Sequence, residues 1–442
     1  MSHSLADLPE LRALDTRRQL IRIPDQLDVP LTDRVKQIID SPEFRRLATI
    51  SQLGLVGMVY PAANHTRFEH SLGVYRLALL YLKQLSADER FVAIVSPRQA
   101  ELFLLAALLH DLGHWPFCHP IEDIHLPGVP NHELFANSFL IEGEIADTIR
   151  SAWQVQPREI VSLLSEKPRD AAGAILKSML SGPIDIDKMD YLVRDSLHAG
   201  VPYGRSFDQP RLIGSLCLNK QADALAITEK GRTAAESMVF SRYVMFSEVY
   251  WHHAVRAATA MLQRAFYLQH QSLDLDQLFR LGEFRFVDAM RQSATISPAG
   301  ELLASLFGPV RSLYKRVAEF SVFQEPELFH QVARRPYTWL AAASDSLATA
   351  LSKKLARRVA PHEVLFDAPP VSREVEFDIE VYFPKQNRFK QFVDVSPVVE
   401  ALAKKQFDDY VKRVRVFVHP RLAADTRGLT DLNEVIAGAI RE

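Results

Sequence analysis

Residues 1–30 carry no sustained apolar period and are punctuated by Pro24 and Pro30, which predicts an irregular N-terminal segment. Beyond it the pattern turns helical. Thr32 and Asp33 can cap a helix whose apolar positions are Val35, Ile38 and Ile39, stopping near Ser41-Pro42. A second helix is expected from Glu43 to about Ser51, and Gly54, Gly57 and the run from Pro61 read as loop. Phe68, Leu72, Leu77, Leu80 and Leu82 then give a helix beginning at Arg67 one apolar face, with His70 on its first turn. Pro97 opens the next helix, through Leu102, Leu105, Leu108 and Leu109 to His110-Asp111, before Gly113.

Further helices are expected over 132–142, 144–152, 157–164, 171–180, 184–198, 235–271, 300–318 and 337–356, with a short hairpin over 214–229. Near the C-terminus the period changes to two. Val375, Phe377, Ile379, Val381 and Phe383 alternate with Glu376, Asp378, Glu380 and Tyr382, which reads as a half-buried strand. A helix from Pro397 to about Val411 precedes a second strand at Val414, Val416 and Val418. The pattern predicts a mostly α fold, a large helical block carrying a smaller α+β region.

Composition narrows the chemistry. Over 442 residues, Lys+Arg 52 against Asp+Glu 54 leaves a net charge of −2, so an anionic ligand must meet a local basic pocket. Cys118 and Cys217 are the only cysteines, which excludes a disulfide scaffold and an all-cysteine zinc site. The apolar run Leu102–Leu109 is too short to cross a bilayer, and the first residues do not read as a signal peptide. A cytoplasmic protein without a membrane partner is expected.

Histidine supplies the functional signal. Seven of the 15 (His65, His70, His110, His114, His119, His125 and His132) fall within residues 65–132. Three segments could bring four ligands to one ion: His70, the adjacent His110 and Asp111, and Asp187 just after Gly182-Pro183. Read alone, a His-Asp pair is equally a charged helix end. Two or three imidazoles with carboxylates suit Mn, Fe, Zn or Ni better than Ca. Arg67 stands one helical turn before His70, where its guanidinium could clamp a phosphate, and Lys188, Arg194 and Arg242 are further cations. His114, Glu122 and His132 are candidate acid–base groups for protonating an alkoxide leaving group. From spacing alone the reading is a metal-dependent phosphohydrolase.

Longer strings carry a resemblance. Ser41-Pro-Glu-Phe-Arg-Arg-Leu, Gln52-Leu-Gly, His65-Thr-Arg-Phe-Glu-His-Ser-Leu-Gly-Val, Leu109-His-Asp-Leu-Gly-His-Trp-Pro-Phe-Cys-His and Ile186-Asp-Lys-Met-Asp-Tyr-Leu-Val-Arg-Asp resemble, in order and spacing, the HD-domain superfamily. Within it they are most similar to the deoxynucleoside triphosphate triphosphohydrolase branch, in its bacterial-type form without a sterile-alpha-motif domain. The resemblance spans roughly residues 20 to 260 and is looser in the C-terminal third.

The resemblance implies an HD-domain helical core over 31–272, after a segment 1–30 and before a helical plus α+β C-terminal region over 273–442. It implies His70, His110, Asp111 and Asp187 as ligands of a divalent ion (Mn, Fe, Zn, Ni, Co or Mg) and His114, Glu122 and His132 as catalytic. It further implies Arg67, Lys188 and Arg242 at the phosphates, Gln52, Leu53, Tyr191 and Asp195 around the deoxyribose, and Tyr250 near the base. The activity implied is hydrolysis of dNTPs to deoxynucleoside and triphosphate by a homo-oligomer, a dimer or tetramer. Two departures stand out. Ile23-Pro-Asp-Gln-Leu-Asp-Val-Pro-Leu replaces the family's Asp-Pro-x-His-Gly segment, and Ala48 replaces an arginine that holds an activating guanine nucleotide, which predicts activity without GTP.

Two other readings compete. One is a phosphodiesterase or phosphatase acting on another nucleotide or a short oligonucleotide. The other is a nucleotide- or RNA-binding regulator, whose footprint on nucleic acid would be the basic stripe Lys404, Lys405, Lys412, Arg413 and Arg415.

Overall fold

The computed structural model describes residues 4–16, 19–25, 27–371, 378–404 and 411–441. The fold is mostly α, with small sheets concentrated toward the C-terminal half. No helix among the described residues is long and apolar enough to cross a membrane.

The N-terminal segment is more ordered than its composition predicts. Pro9–Ala13 is helical, and β1 (Leu20–Ile23) pairs antiparallel with β2 (Leu27–Pro30). Tertiary partners supply what local period lacks: Glu10 is fully buried, accepting from Thr32 Oγ1 at 2.7 Å and Arg34 Nε at 2.8 Å. Thr32 caps the helix Asp33–Ile39 as expected, its side chain accepting from Val35 N.

The helix expected over 43–51 is shorter. Pro42–Arg45 tightens into a 3₁₀ turn at Arg46–Thr49, and Ile50 turns extended. There the main chain bonds to the next element: Arg67 N donates to Ile50 O, and Gln52 N to His65 O. That pairing stations Gln52 beside the start of the helix Arg67–Leu85. The helix Pro97–Leu109 is fixed by burial, with Phe103 to Leu109 completely enclosed. Ile186–Ala199 packs on Arg67–Leu85 and carries the aspartates of its own first turns toward it.

The stretch 235–271 is not one helix. Arg232–Met245 passes into a π turn at Phe246–Tyr250, and a new helix, His253–Gln269, follows. A π turn widens the backbone and rotates the side chains that follow it, a feature frequent at functional sites. The helix expected over 300–318 ends at Phe307, before Gly308-Pro309, because proline cannot continue it. Residues Lys315–Phe320 instead form a strand, β5.

The hairpin expected over 214–229 is present as β3 (Leu216–Leu218) and β4 (Leu225–Thr228). Its outer edge does not stay free: β4 pairs in parallel with β7 (Glu380–Phe383), which pairs with β8 (Arg388–Gln391). Of the strand expected over 375–383, residues 375–377 lie outside the described residues, as do 405–410 of the helix that begins at Pro397. A third sheet has the order β5–β9–β6, with β6 at Val364–Asp367 and β9 at Val414–Val418. It forms its own small core with the helix Tyr337–Lys354, through Phe320, Leu347, Leu351, Val364 and Val416.

Candidate metal centre and cleft

Three helix ends meet at His70, His110 and Asp187. Thr66 caps the first helix through Glu69 N, leaving His70 one turn in. His110 closes the buried helix that Ser96 and Gln99 cap at its other end. Asp187 follows Asp185, which caps its helix through Lys188 N at 2.7 Å. His70 Nε2 lies 3.2 Å from His110 Nε2 and 3.0 Å from Asp187 Oδ1, and His110 Nε2 lies 3.7 Å from Asp187 Oδ1. Asp111 Oδ1 is 3.5 Å from His110 Nε2. Nitrogen and oxygen ligands at about 2.1 Å around one ion stand roughly 3 to 3.5 Å from each other, so the donor set fits a divalent ion.

The outer ring nitrogens are anchored. His110 Nδ1 bonds Ala107 O at 2.9 Å, and His70 Nδ1 bonds Asp190 Oδ2 at 2.8 Å, so both imidazoles present Nε2 inward. Burial opposes charge on His70, but the hydrogen bonds to Asp187 and Asp190 prevail and push its pKa up to about 10. Burial would raise Asp187 and Asp111; the cationic surroundings win, holding both far below the usual carboxylate range. Asp190 also takes Arg194 Nε and Nη2, and a Cβ on Gly73 would meet Asp190 Oδ1 at 1.9 Å. Only glycine permits that approach of the two helices.

A second cluster adjoins the first. His132 Nδ1 bonds Glu122 Oε2 at 2.8 Å, and its backbone N donates to Glu122 Oε1 at 2.7 Å. The His132 and His114 rings stand 4.0 Å apart by centroid, with His119 5.1 Å from His114. Burial would raise Glu122, but His119 and His132 keep it ionised far into the acid range. Burial and then Arg67 and His132 push His114 well below its ordinary value, so its ring is neutral near pH 7. The donors of His114, His119 and His132 also converge closely enough to hold an ion. Gly113 makes room here, since a Cβ would meet His132 O at 2.1 Å.

A cavity of about 440 Å³ opens beside these clusters, and Gln52, Leu53, Arg67, Asp187, Lys188, Tyr191, Asp195, Arg242 and Tyr250 all line it. Arg67 Nη1 donates to Asp111 Oδ2 at 2.8 Å. Lys188 Nζ is held by Asp185 Oδ2 and Gly182 O. Tyr250 Oη donates to Asp195 Oδ2 at 2.6 Å, while His65 Nε2 meets the other oxygen at 2.9 Å. His65 stacks on His198, His198 bonds Glu69, and Glu69 pairs with Arg194. Of the stripe read as a nucleic-acid footprint, Lys412 and Arg415 are buried and Arg413 is half-buried, while Lys405 lies outside the described residues.

Arg194, read from the sequence as a further phosphate cation, does not line the cavity; its guanidinium is committed to Asp190 and Glu69. Asp190 had no assigned part, although it shares with Arg194 the i, i+4 spacing of a helical pair, a visible signal. Arg46 has no such signal. Its Nη2 donates to Leu112 O at 2.7 Å and His114 O at 2.8 Å, pinning the turn after Asp111. Burial and the nearby Arg67 and Arg280 push Arg46 down to about 9.

Comparison with known proteins gives the family. Residues 67–199 match the HD domain, and residues 207–427 match the HD associated region. The uncharacterized protein MJ1154 of Methanocaldococcus jannaschii is 34% identical over 69% of this chain and 60% of its own length. A deoxynucleoside triphosphate triphosphohydrolase SAMHD1 homolog of Dictyostelium discoideum is 29% identical over 68% of this chain and, likewise, 60% of its own. The chain thus spans about three fifths of the length of these relatives. The crystal structure of a hypothetical protein from Aquifex aeolicus superposes with a TM-score of 0.71 at 28% identity, covering 92% of this chain and 98% of that one. The chain therefore belongs to the HD-domain family, an HD domain followed by an HD associated region.

Proposed function

We propose that the protein hydrolyses deoxynucleoside triphosphates to deoxynucleoside and triphosphate. The observation that carries this reading is the single cavity in which Asp187, three cations and the Tyr250–Asp195 pair all take part. His70, His110, Asp111 and Asp187 would hold a divalent ion, which would supply Lewis acidity toward a phosphoryl oxygen and toward water. Arg67, Lys188 and Arg242 offset charge that develops on the phosphate oxygens as the P–O5′ bond breaks. Gln52 and Asp195 would bond the 3′-hydroxyl, Leu53 and Tyr191 would pack on the sugar, and Tyr250 would border the base. His132, oriented by Glu122, would deliver a proton to O5′ of the leaving deoxynucleoside. His114 beside it is held neutral by burial and by Arg67.

Cytoplasmic location and homo-oligomeric assembly belong to the same proposal, and size-exclusion chromatography with light scattering reads the second. The deciding experiment incubates dNTPs, NTPs and short oligonucleotides with Mg, Mn, Fe, Co, Ni or Zn and resolves the products by anion exchange. Triphosphate release from dNTPs supports the reading. Release of other phosphate products would favour a phosphodiesterase or phosphatase, and binding without products a regulator.

A further inference from the structure

The histidines around Glu122 repeat the donor pattern of the first centre. The turn after Asp111 brings them together. Phe117 takes a left-handed conformation, φ 57°, and starts the short helix Cys118–Glu122, which returns His119 toward His114. Asn131 caps the helix that begins at His132. Each ring turns its Nδ1 to a carboxylate: His114 to Asp111 Oδ1 at 3.1 Å, His132 to Glu122 Oε2 at 2.8 Å, and His119 to the same Glu122 oxygen at 3.7 Å. His70 and Asp190 are arranged likewise at the first centre. A carboxylate behind Nδ1 orients the ring and leaves Nε2 as the ligand.

One donor atom from each of these three imidazoles lies within 4.8 Å of the others, and none of the three belongs to the set His70, His110 and Asp187. Both sets can therefore be filled together. The His119 side chain is 61% exposed, so its ring can turn to close the cluster, whereas His114 is buried and sets its floor. Cys118 adds a soft donor, within the same distance of Glu122 and His132. The two centres thus differ in chemistry. The first offers two imidazoles and two carboxylates; the second offers three imidazoles with a thiol in reach. Three imidazoles and an open position make a zinc donor set, and they suit magnesium, manganese and calcium poorly, which favour oxygen.

We infer that His114, His119 and His132 bind a zinc ion distinct from the ion of the first centre, and that this zinc inhibits the enzyme. The inhibitory half rests on the acid role proposed above for His132. With Nδ1 held by Glu122, Nε2 is the nitrogen of that ring from which a proton can reach O5′. A zinc ion on Nε2 displaces that proton, and the ring cannot carry both. Zinc then stops turnover without removing any ligand of the first ion.

The test loads the protein with zinc under chelator buffering and counts bound metal by plasma mass spectrometry. Wild type should hold one zinc ion per chain more than His119→Ala. Affinity for that ion should fall about 100-fold or more in the variant, because losing even an orienting partner costs about 10- to 100-fold. Equal counts in a variant of unchanged Tm overturn the site. Should the variant melt early, anomalous scattering at the zinc edge from wild-type crystals decides: an ion at His119 supports the site, and none overturns it. For inhibition, zinc is added to manganese-loaded enzyme while its manganese content is followed. The kcat for triphosphate release should fall about 10²-fold or more with manganese retained, the contribution of a general acid. Unchanged turnover at full second-site occupancy, or a loss that tracks released manganese, overturns the inhibitory role. If wild type releases triphosphate from no dNTP, the proposed activity fails, and the zinc count still decides the site by itself.

Discussion

Asp190 accepts a hydrogen bond from Nδ1 of His70 at 2.8 Å while the opposite nitrogen of the same ring faces Asp187 at 3.0 Å. One imidazole therefore links a carboxylate that orients it to a carboxylate that would share its ion. Arg194 fixes Asp190 in turn. Replacing Asp190 by Asn should keep the fold and weaken divalent-metal affinity about 10- to 100-fold, the usual effect of losing an orienting partner. Metal titration with melting curves checks this, and unchanged affinity would show that His70 needs no such partner.

The same geometry predicts proton release. With both nitrogens against carboxylates, His70 is an imidazolium in the metal-free protein, its pKa near 10. That value lies above the ordinary one of roughly 6.5, so the charged form stabilises the metal-free fold fully below 6.5 and that contribution is lost as pH rises through about 10. An ion at Nε2 must expel the proton. Metal affinity should accordingly rise with pH across this window, with close to one proton released from His70 per ion near pH 7.5. Calorimetry in buffers of different ionisation enthalpy measures it; no buffer dependence would place the proton elsewhere.

His110→Ala or Asp111→Ala should remove both metal and turnover while leaving the far-ultraviolet circular dichroism helical, because both residues cap the exit of an already buried helix. His132→Ala should retain metal and lose about 10²- to 10⁴-fold in kcat, the range for general acid–base catalysis. Near wild-type kcat would move that role to His114, whose ring lies 4.0 Å away.

Tyr191 lines the cavity one turn beyond Asp187, and its ring meets that of Tyr250 edge-on at 6.5 Å. Tyr191→Ala should open space for a 2′-hydroxyl and narrow the dNTP-to-NTP ratio of kcat/KM, even if both rates fall. Circular dichroism and metal content distinguish this from loss of a core tyrosine. Wild-type enzyme that hydrolyses NTPs as readily as dNTPs would remove the sugar gate altogether.

Ala48 lies in the short 3₁₀ turn Arg46–Thr49 and carries no charge for a guanine nucleotide. Full activity without GTP is expected once the metal is saturating. A strict GTP requirement in a dose–response assay would mean that another residue binds the activator.

Local order was written in the chain. Apolar period, proline at helix starts and side-chain caps are interactions within a few residues, so the helices Arg67–Leu85, Pro97–Leu109 and Ile186–Ala199 and the position of His70, His110 and Asp187 on their ends follow from sequence. The motifs likewise point to an HD-type phosphohydrolase before any distance is known. Partnership across the chain is different, because no local period encodes it. The parallel pairing of β4 with β7 joins residues more than 150 apart, and the strand at Lys315–Phe320 is fixed by its antiparallel pairing with β9, nearly a hundred residues on. The π turn that brings Tyr250 to Asp195, and the burial that converts Lys412 from a surface charge into a wall of the cleft, were likewise decided by packing. Burial depends on what covers a residue, and only the assembled fold supplies the cover.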